Sequence, residues 1–225
     1  MKRFFFPLLV IVLVTWMSCK PTEEPVVIPT SMFKSVVIKH PVSNYAKFYT
    51  VFTASDSMKK ANGFHTIGVA RGLQDTNMVV VIGKVDDVAK ALAFVTSPEL
   101  KTAMDSATVS GPPTIEFIDV VRNDDSEIPQ MERMMVKHHV KDFAAWLKVY
   151  DKEGKETRAG YGMVDRAMGR GIEDSNMVYL VFAITDMAKA MERGKSEELH
   201  KLMEESGVDS EPEMFAYKYV MYKEK

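Results

Sequence analysis

Apolar and polar positions recur in the same order twice along the chain. Within residues 35–40 they alternate, with Val36, Ile38 and His40 on one face, the period of a β-strand. Asn44 then starts a helix as its N-cap, and Tyr45, Phe48, Val51 and Phe52 follow at helical spacing. A second strand is expected over 64–71, and the Gly, Asp and Asn residues of 72–77 supply a hairpin turn. The β-branched run 78–85 predicts a third strand. Asp87 caps a second helix, and Ser97-Pro98 reads as a fresh cap with proline at the first helical position. A fourth strand is expected over 114–121.

The second half repeats the first. Residues 36–48, VVIKHPVSNYAKF, align with 134–146, MMVKHHVKDFAAW, at an offset of 98. A one-residue insertion, placed near Gly160, changes the offset to 99. RGLQDTNMVVV (71–81) then meets RGIEDSNMVYL (170–180), DVAKAL (87–92) meets DMAKAM (186–191), and SPEL (97–100) meets SEEL (196–199). The match runs in order through both halves, as expected of a duplicated unit.

Each unit reads β-α-β-β-α-β, the split βαβ of ferredoxin-like folds, so the fold class is α+β. Two helices cover one face of such a sheet and leave the other bare. Two copies in one chain can cover each other, which predicts a pseudo-dimeric α/β barrel. The units are expected over 31–122 and 131–225. Between them NDDSEIPQ (123–130), acidic and carrying a proline, suits an exposed hinge.

The segment HHVKDFAAWLKVYD, followed by a glycine-containing strand, SEEL and then GV–EPEMFAY, resembles the dimeric α/β-barrel superfamily. It is most similar to small antibiotic-biosynthesis-monooxygenase-like domains with an H-x-V-x-D-[FY]-x-x-W segment after the first strand. The resemblance spans 33–222 as two fused copies. Relatives of this fold include cofactor-independent oxygenases, isomerases, haem-handling proteins and members without known activity. The resemblance therefore implies a fold and leaves the reaction open.

The first residues add an address. Lys2 and Arg3 precede a 13-residue apolar run from Phe4 to Trp16, then Ser18 and the only cysteine, Cys19. That run spans about 20 Å as a helix, short of a ~30 Å hydrocarbon core, so 1–18 reads as a secretory signal. It resembles a bacterial lipoprotein signal in which Cys19 is acylated, although Trp16 and Met17 depart from the usual residues. An uncleaved anchor helix or a plain cleaved signal is the alternative. Residues 19–30 supply the anchor and a proline-containing spacer. The expected location is the bacterial cell envelope, at the periplasmic face or the outer membrane, held to the bilayer by lipid. Without Lys2 and Arg3, 27 basic residues face 31 acidic ones, so charge would not draw the chain to anionic lipid. The whole chain's net charge of −2 also argues against a nucleic-acid partner. One cysteine excludes an intrachain disulfide and multi-cysteine metal sites.

His40 and His138 take the same place in the two copies, at the end of the first strand. They are the histidines the copies share. Such a residue could act as a base or ligand at the barrel mouth, or cap the strand end through a hydrogen bond. No metal is expected, because H-x-x-x-H and H-E-x-x-H are absent and His139 points to the opposite face from His138. No cofactor is called for, haem, which needs one axial histidine, being the exception. Asp142, a candidate carboxylate partner, is matched by Asn44, so the shared role is capping. Trp146 is matched by Phe48, as expected of a core anchor. Arg71 and Arg170 could stabilise an oxyanion or pair locally with the turn aspartates, Asp75 and Asp174. His65, Tyr161, Asp165 and Arg166 lack counterparts, so any polar pocket should differ between halves. The chain's 17 methionines, dense in MERMM, read as core filler rather than a copper site. Nucleotide loops and the G-x-S-x-G elbow are absent.

The expected function is binding of a small apolar or aromatic molecule in the cavity of one or both halves. The rival is a cofactor-independent monooxygenase or isomerase, with His40 or His138 as base and Arg71 or Arg170 at the oxyanion. A non-catalytic scaffold is the third reading. The assembly is expected to be a monomeric pseudo-dimer or a higher oligomer.

Overall fold

The structure, a computed structural model, describes residues 27–222. The signal, Cys19 and most of the spacer lie outside the described residues. Among the described residues no helix is long and apolar enough to cross a membrane.

The first copy comprises β1 (Phe33–Pro41), α1 (Tyr45–Ala54), α2 (Asp56–Ala61), β2 (Phe64–Gly72), β3 (Met78–Val85), α3 (Val88–Val95), α4 (Pro98–Ser106) and β4 (Thr114–Asn123). The second repeats it as β5 (Glu132–His139), α5 (Phe143–Glu153), α6 (Lys155–Gly160), β6 (Met163–Gly171), β7 (Met177–Ile184), α7 (Met187–Gly194), α8 (Glu197–Ser206) and β8 (Glu213–Tyr222). The caps form as their side chains dictate. Asn44 accepts from Lys47 N at 3.0 Å, and Asp142 from Ala145 N at 2.7 Å. Gly63 and Gly162, just after the short helices α2 and α6, hold φ of 69° and 78°, a turn that favours glycine.

The insertion lies earlier than the sequence alignment put it. Helix α5 runs one residue longer than α1, whereas α2 and α6 already match at an offset of 99. The extra residue is therefore Glu153, ahead of Gly154, and not a residue near Gly160. A gap flanked by two glycines has no sequence signal that fixes it to either one.

All eight strands close into one barrel in the order β1-β3-β2-β8-β5-β7-β6-β4. Each copy contributes an antiparallel sheet, and the copies join edge to edge through β2·β8 and β4·β6. The sheets do not stack face to face as two flat layers. Their bare faces become the barrel interior, filled by Val37, Val80, Ile118, Met135, Tyr179 and Tyr217. Closure also leaves no strand edge unpaired. The helices lie outside, one layer over each half, on separate apolar clusters around Phe48 and around Trp146.

Within the barrel, Lys137 of the second copy donates to Glu116 of the first at 2.7 Å, and Lys39 lies 3.6 Å from the same carboxylate. The hinge expected over 123–130 is exposed but fastened. Buried Arg166 donates to Ser126 O at 2.6 Å, and buried Arg133 donates to Gln130 O.

Candidate functional site: two pockets between helices and barrel wall

Strand alternation decides where the shared histidines point. On β1, Val37 faces the barrel interior and Lys39 turns to Glu116, so Val36, Ile38 and His40 face the helices. The expected barrel-mouth position is thereby corrected. His40 sits under α1 with its ring centroid 5.2 Å from that of Phe48, edge-on, and His138 sits under α5, 5.6 Å from Trp146. Their relative exposures are 4% and 5%.

Burial of each imidazole among apolar groups penalises the charged form and lowers both pKa values to about 4. Both rings are therefore neutral at pH 7. His40 Nε2 and both ring nitrogens of His138 have no hydrogen-bond partner. The strand-end capping bond expected of His138 is thus absent.

Each histidine forms part of the wall of a cavity. In the first half it measures about 570 Å³ and is lined by Ile38, His40, Phe64, Phe94, Leu100 and Met104, among others. In the second it measures about 180 Å³, with His138, Trp146, Leu180, Phe182 and Met203 in the wall. The first lies within the ~300–1,000 Å³ usual for small-molecule sites, and the second lies below it.

Arg71 and Arg170 line neither cavity. Arg71 and His40 both oppose Val79 of β3, which puts their backbones two strand spacings, about 10 Å, apart. Arg71 Nε donates to Thr76 O at 2.5 Å and its guanidinium lies 4.5 Å from the Tyr45 ring. Arg170 repeats this with Ser175 O at 2.6 Å and Phe143 at 4.2 Å. The arginines bind the turn's carbonyls, while Asp75 and Asp174 accept backbone N–H groups two residues on. The His–Arg constellation expected of an oxygenase or isomerase is not brought together.

A different cation is. Lys59 of α2 and Arg158 of α6 occupy equivalent positions, and both line their cavities. In the second half, Arg158 also donates to Asp165 at 2.9 and 2.7 Å and to Glu153 at 3.1 Å. Tyr150 donates to the same aspartate at 3.1 Å. Burial pulls the Arg158 pKa down, but the Asp165 and Glu153 carboxylates outweigh it and the net shift is upward. The inserted Glu153 additionally accepts from Arg193 of α7 at 2.9 Å. Of this group Asp165 stands out in the sequence as unmatched, whereas Lys59, Arg158, Glu153 and Arg193 do not. Their signals were the cation kept on the short helix, the insertion itself, and Phe94 standing where Arg193 follows in the repeat.

Haem does not fit the second half, whose cavity is smaller than drug-sized ligands need. In the first half His40 Nε2 would be the residue to hold the iron. The buried cation there, Lys59, already donates to Phe52 O and pairs with Asp56. Among the described residues, no group of three or more His, Cys, Asp or Glu side chains could hold a metal.

No protein-family model matches the sequence, and no curated protein matches it. Solved structures do match. An anthrone oxidase-like protein superposes with a TM-score of 0.56 at 13% identity, covering 85% of this chain and 92% of that one. A candidate monooxygenase from Fusobacterium nucleatum gives 0.55 at 11% identity, covering 85% and 94%. One from Lactobacillus acidophilus gives 0.50 at 13% identity, covering 83% and 94%. At such identities the likeness carries the fold. The chain is a tandem ferredoxin-like protein whose two halves close into one pseudo-dimeric α/β barrel, the fold it shares with these monooxygenase-like proteins.

Proposed function

We propose that this protein binds small, largely apolar molecules in the helix–barrel pockets, chiefly that of the first half. The neutral histidine accepts a hydrogen bond from the ligand's hydroxyl or N–H group. One observation carries this reading: a buried imidazole with a nitrogen that has no protein partner belongs to the wall of a largely apolar cavity in each half. Buried polar groups are nearly always satisfied, and an orphan on a residue of a cavity wall calls for a partner. A scaffold without a ligand gives those nitrogens no role.

The oxygenase reading draws on the fold neighbours, among them a candidate monooxygenase and an anthrone oxidase-like protein. Acid–base efficiency favours the binding role instead. A general base works best with a pKa near the working pH, and about 4 is some three units short. We further infer that Cys19 anchors the protein by lipid in a bacterial envelope, on the signal-like sequence of residues 1–19.

The test is calorimetric titration with 1-naphthol and with naphthalene. A hydrogen bond adds about 0.5–1.5 kcal/mol net, so wild type should prefer 1-naphthol by roughly two- to tenfold. His40→Phe should lose that preference at the tighter site. An equal preference in wild type and His40→Phe would contradict the assignment.

A further inference from the structure

The two pockets have diverged in charge. Where the first half has Phe94, the second has Arg193, and the residue that holds Arg193, Glu153, has no counterpart in the first half. Arg193 is 2% exposed and lines the same cavity as His138. Among the described residues seven buried side-chain polar atoms lack a hydrogen-bond partner, and four belong to these two residues. Arg193 Nε has no acceptor. Its Nη1 lies 2.9 Å from Glu198 Oε2 without hydrogen-bond geometry, and the Glu198 side chain is 75% exposed.

The charges of the interior group balance without Glu198. Arg158 and Arg193 face Glu153 and Asp165, joined by hydrogen bonds. Glu198 is then a loosely held carboxylate at the rim. A solvent-exposed ion-pair partner is worth little and can swing into water without leaving a buried charge behind. A ligand carboxylate in its place would meet the unpaired edge of the guanidinium in the planar geometry arginine favours. The cavity, about 180 Å³, suits a body of one ring, since an apolar cavity of about 150 Å³ accommodates benzene.

We propose that the second half takes small monocarboxylates with a single-ring or short apolar body. Arg193 binds the carboxylate in place of Glu198, and the body lies beside Trp146 and His138. The first half, with Phe94, takes uncharged ligands. This rests on the reading of the pockets as ligand sites.

Trp146 is the only tryptophan of residues 27–222 and lines this cavity, so its emission reports on it directly. The experiment uses the full-length chain in lipid nanodiscs with Trp16→Phe, titrated with benzoate and with benzyl alcohol. Benzoate should bind at least tenfold more tightly than benzyl alcohol. Arg193→Gln should abolish that preference, and Glu198→Gln, a surface change, should tighten benzoate. Benzyl alcohol binding as well as benzoate would overturn the carboxylate assignment and leave the pocket reading standing. A Trp146 signal unmoved by either compound would overturn both. If Arg193→Gln does not fold, Glu198→Gln decides, and unchanged or weaker benzoate binding counts against the proposal.

Discussion

Lys59 and Arg158, one from each copy, make the same contact. Lys59 Nζ donates to Phe52 O at 2.9 Å, and Arg158 Nη1 donates to Tyr150 O at 2.9 Å. Each cation also lies over the ring of that aromatic residue, at 3.2 and 3.7 Å. Duplication thus preserved a buried cation that staples the short helix to the last turn of the long one. What differs is its counter-charge. Asp56 beside Lys59 is one-third exposed, whereas Arg158 faces Glu153, whose side chain is 10% exposed.

That difference predicts unequal costs of removal. Arg158→Met leaves Glu153 and Asp165 short of a partner in the interior and should cost about 3 kcal/mol. Lys59→Met leaves Asp56 able to hydrate and should cost about 1 kcal/mol or less. Urea denaturation of both variants checks this, and equal losses would refute the asymmetry.

Stability should fall in mild acid. His40 and His138 have folded pKa values of about 4 against an ordinary 6.5, so the unfolded chain takes up their protons first. Their contribution is complete above pH 6.5 and is lost as pH falls towards 4, by up to about 3 kcal/mol each. His139 runs the other way, because the hydrogen bond to Asp209 raises its pKa and favours the folded state below pH 6.5. Denaturation midpoints from pH 8 to 4 should drop more steeply in wild type than in His40→Leu/His138→Leu.

The capping role of Asp142 separates amide from alanine. Asp142→Asn should leave stability within a few tenths of a kcal/mol, and Asp142→Ala should cost about 0.5–2 kcal/mol. A loss of ligand binding in folded Asp142→Asn would restore a carboxylate role there.

Cell fractionation tests the anchor. Cys19→Ala should shift the protein from the membrane to the soluble fraction, since one cysteine carries all the proposed acylation. Unchanged detergent partitioning would remove the lipoprotein reading.

Much of the fold was legible because its signals are local. Asn44, Asp87, Asp142 and Ser97 cap helices as their side chains require, and each strand's alternation put Val36, Ile38 and His40 on one face. Which face turned to the helices was not legible, since Val36 and Val37 are both buried, one under helices and one inside the barrel. Edge-to-edge closure through β2·β8 and β4·β6 depends on long-range pairing that no short pattern encodes. The polar group around Arg158 was hidden for a related reason. Its members come from α5, α6, β6 and α7, and only packing brings them together.

The buried histidines should meet the ligand directly. The direct measurement is the NMR signal of the His40 and His138 Cε1–H groups during titration with 1-naphthol at pH 7. At least the His40 signal should move with saturation, while that of exposed His65, which lines neither cavity, stays fixed. Saturable binding of 1-naphthol with both buried-histidine signals unmoved would contradict it.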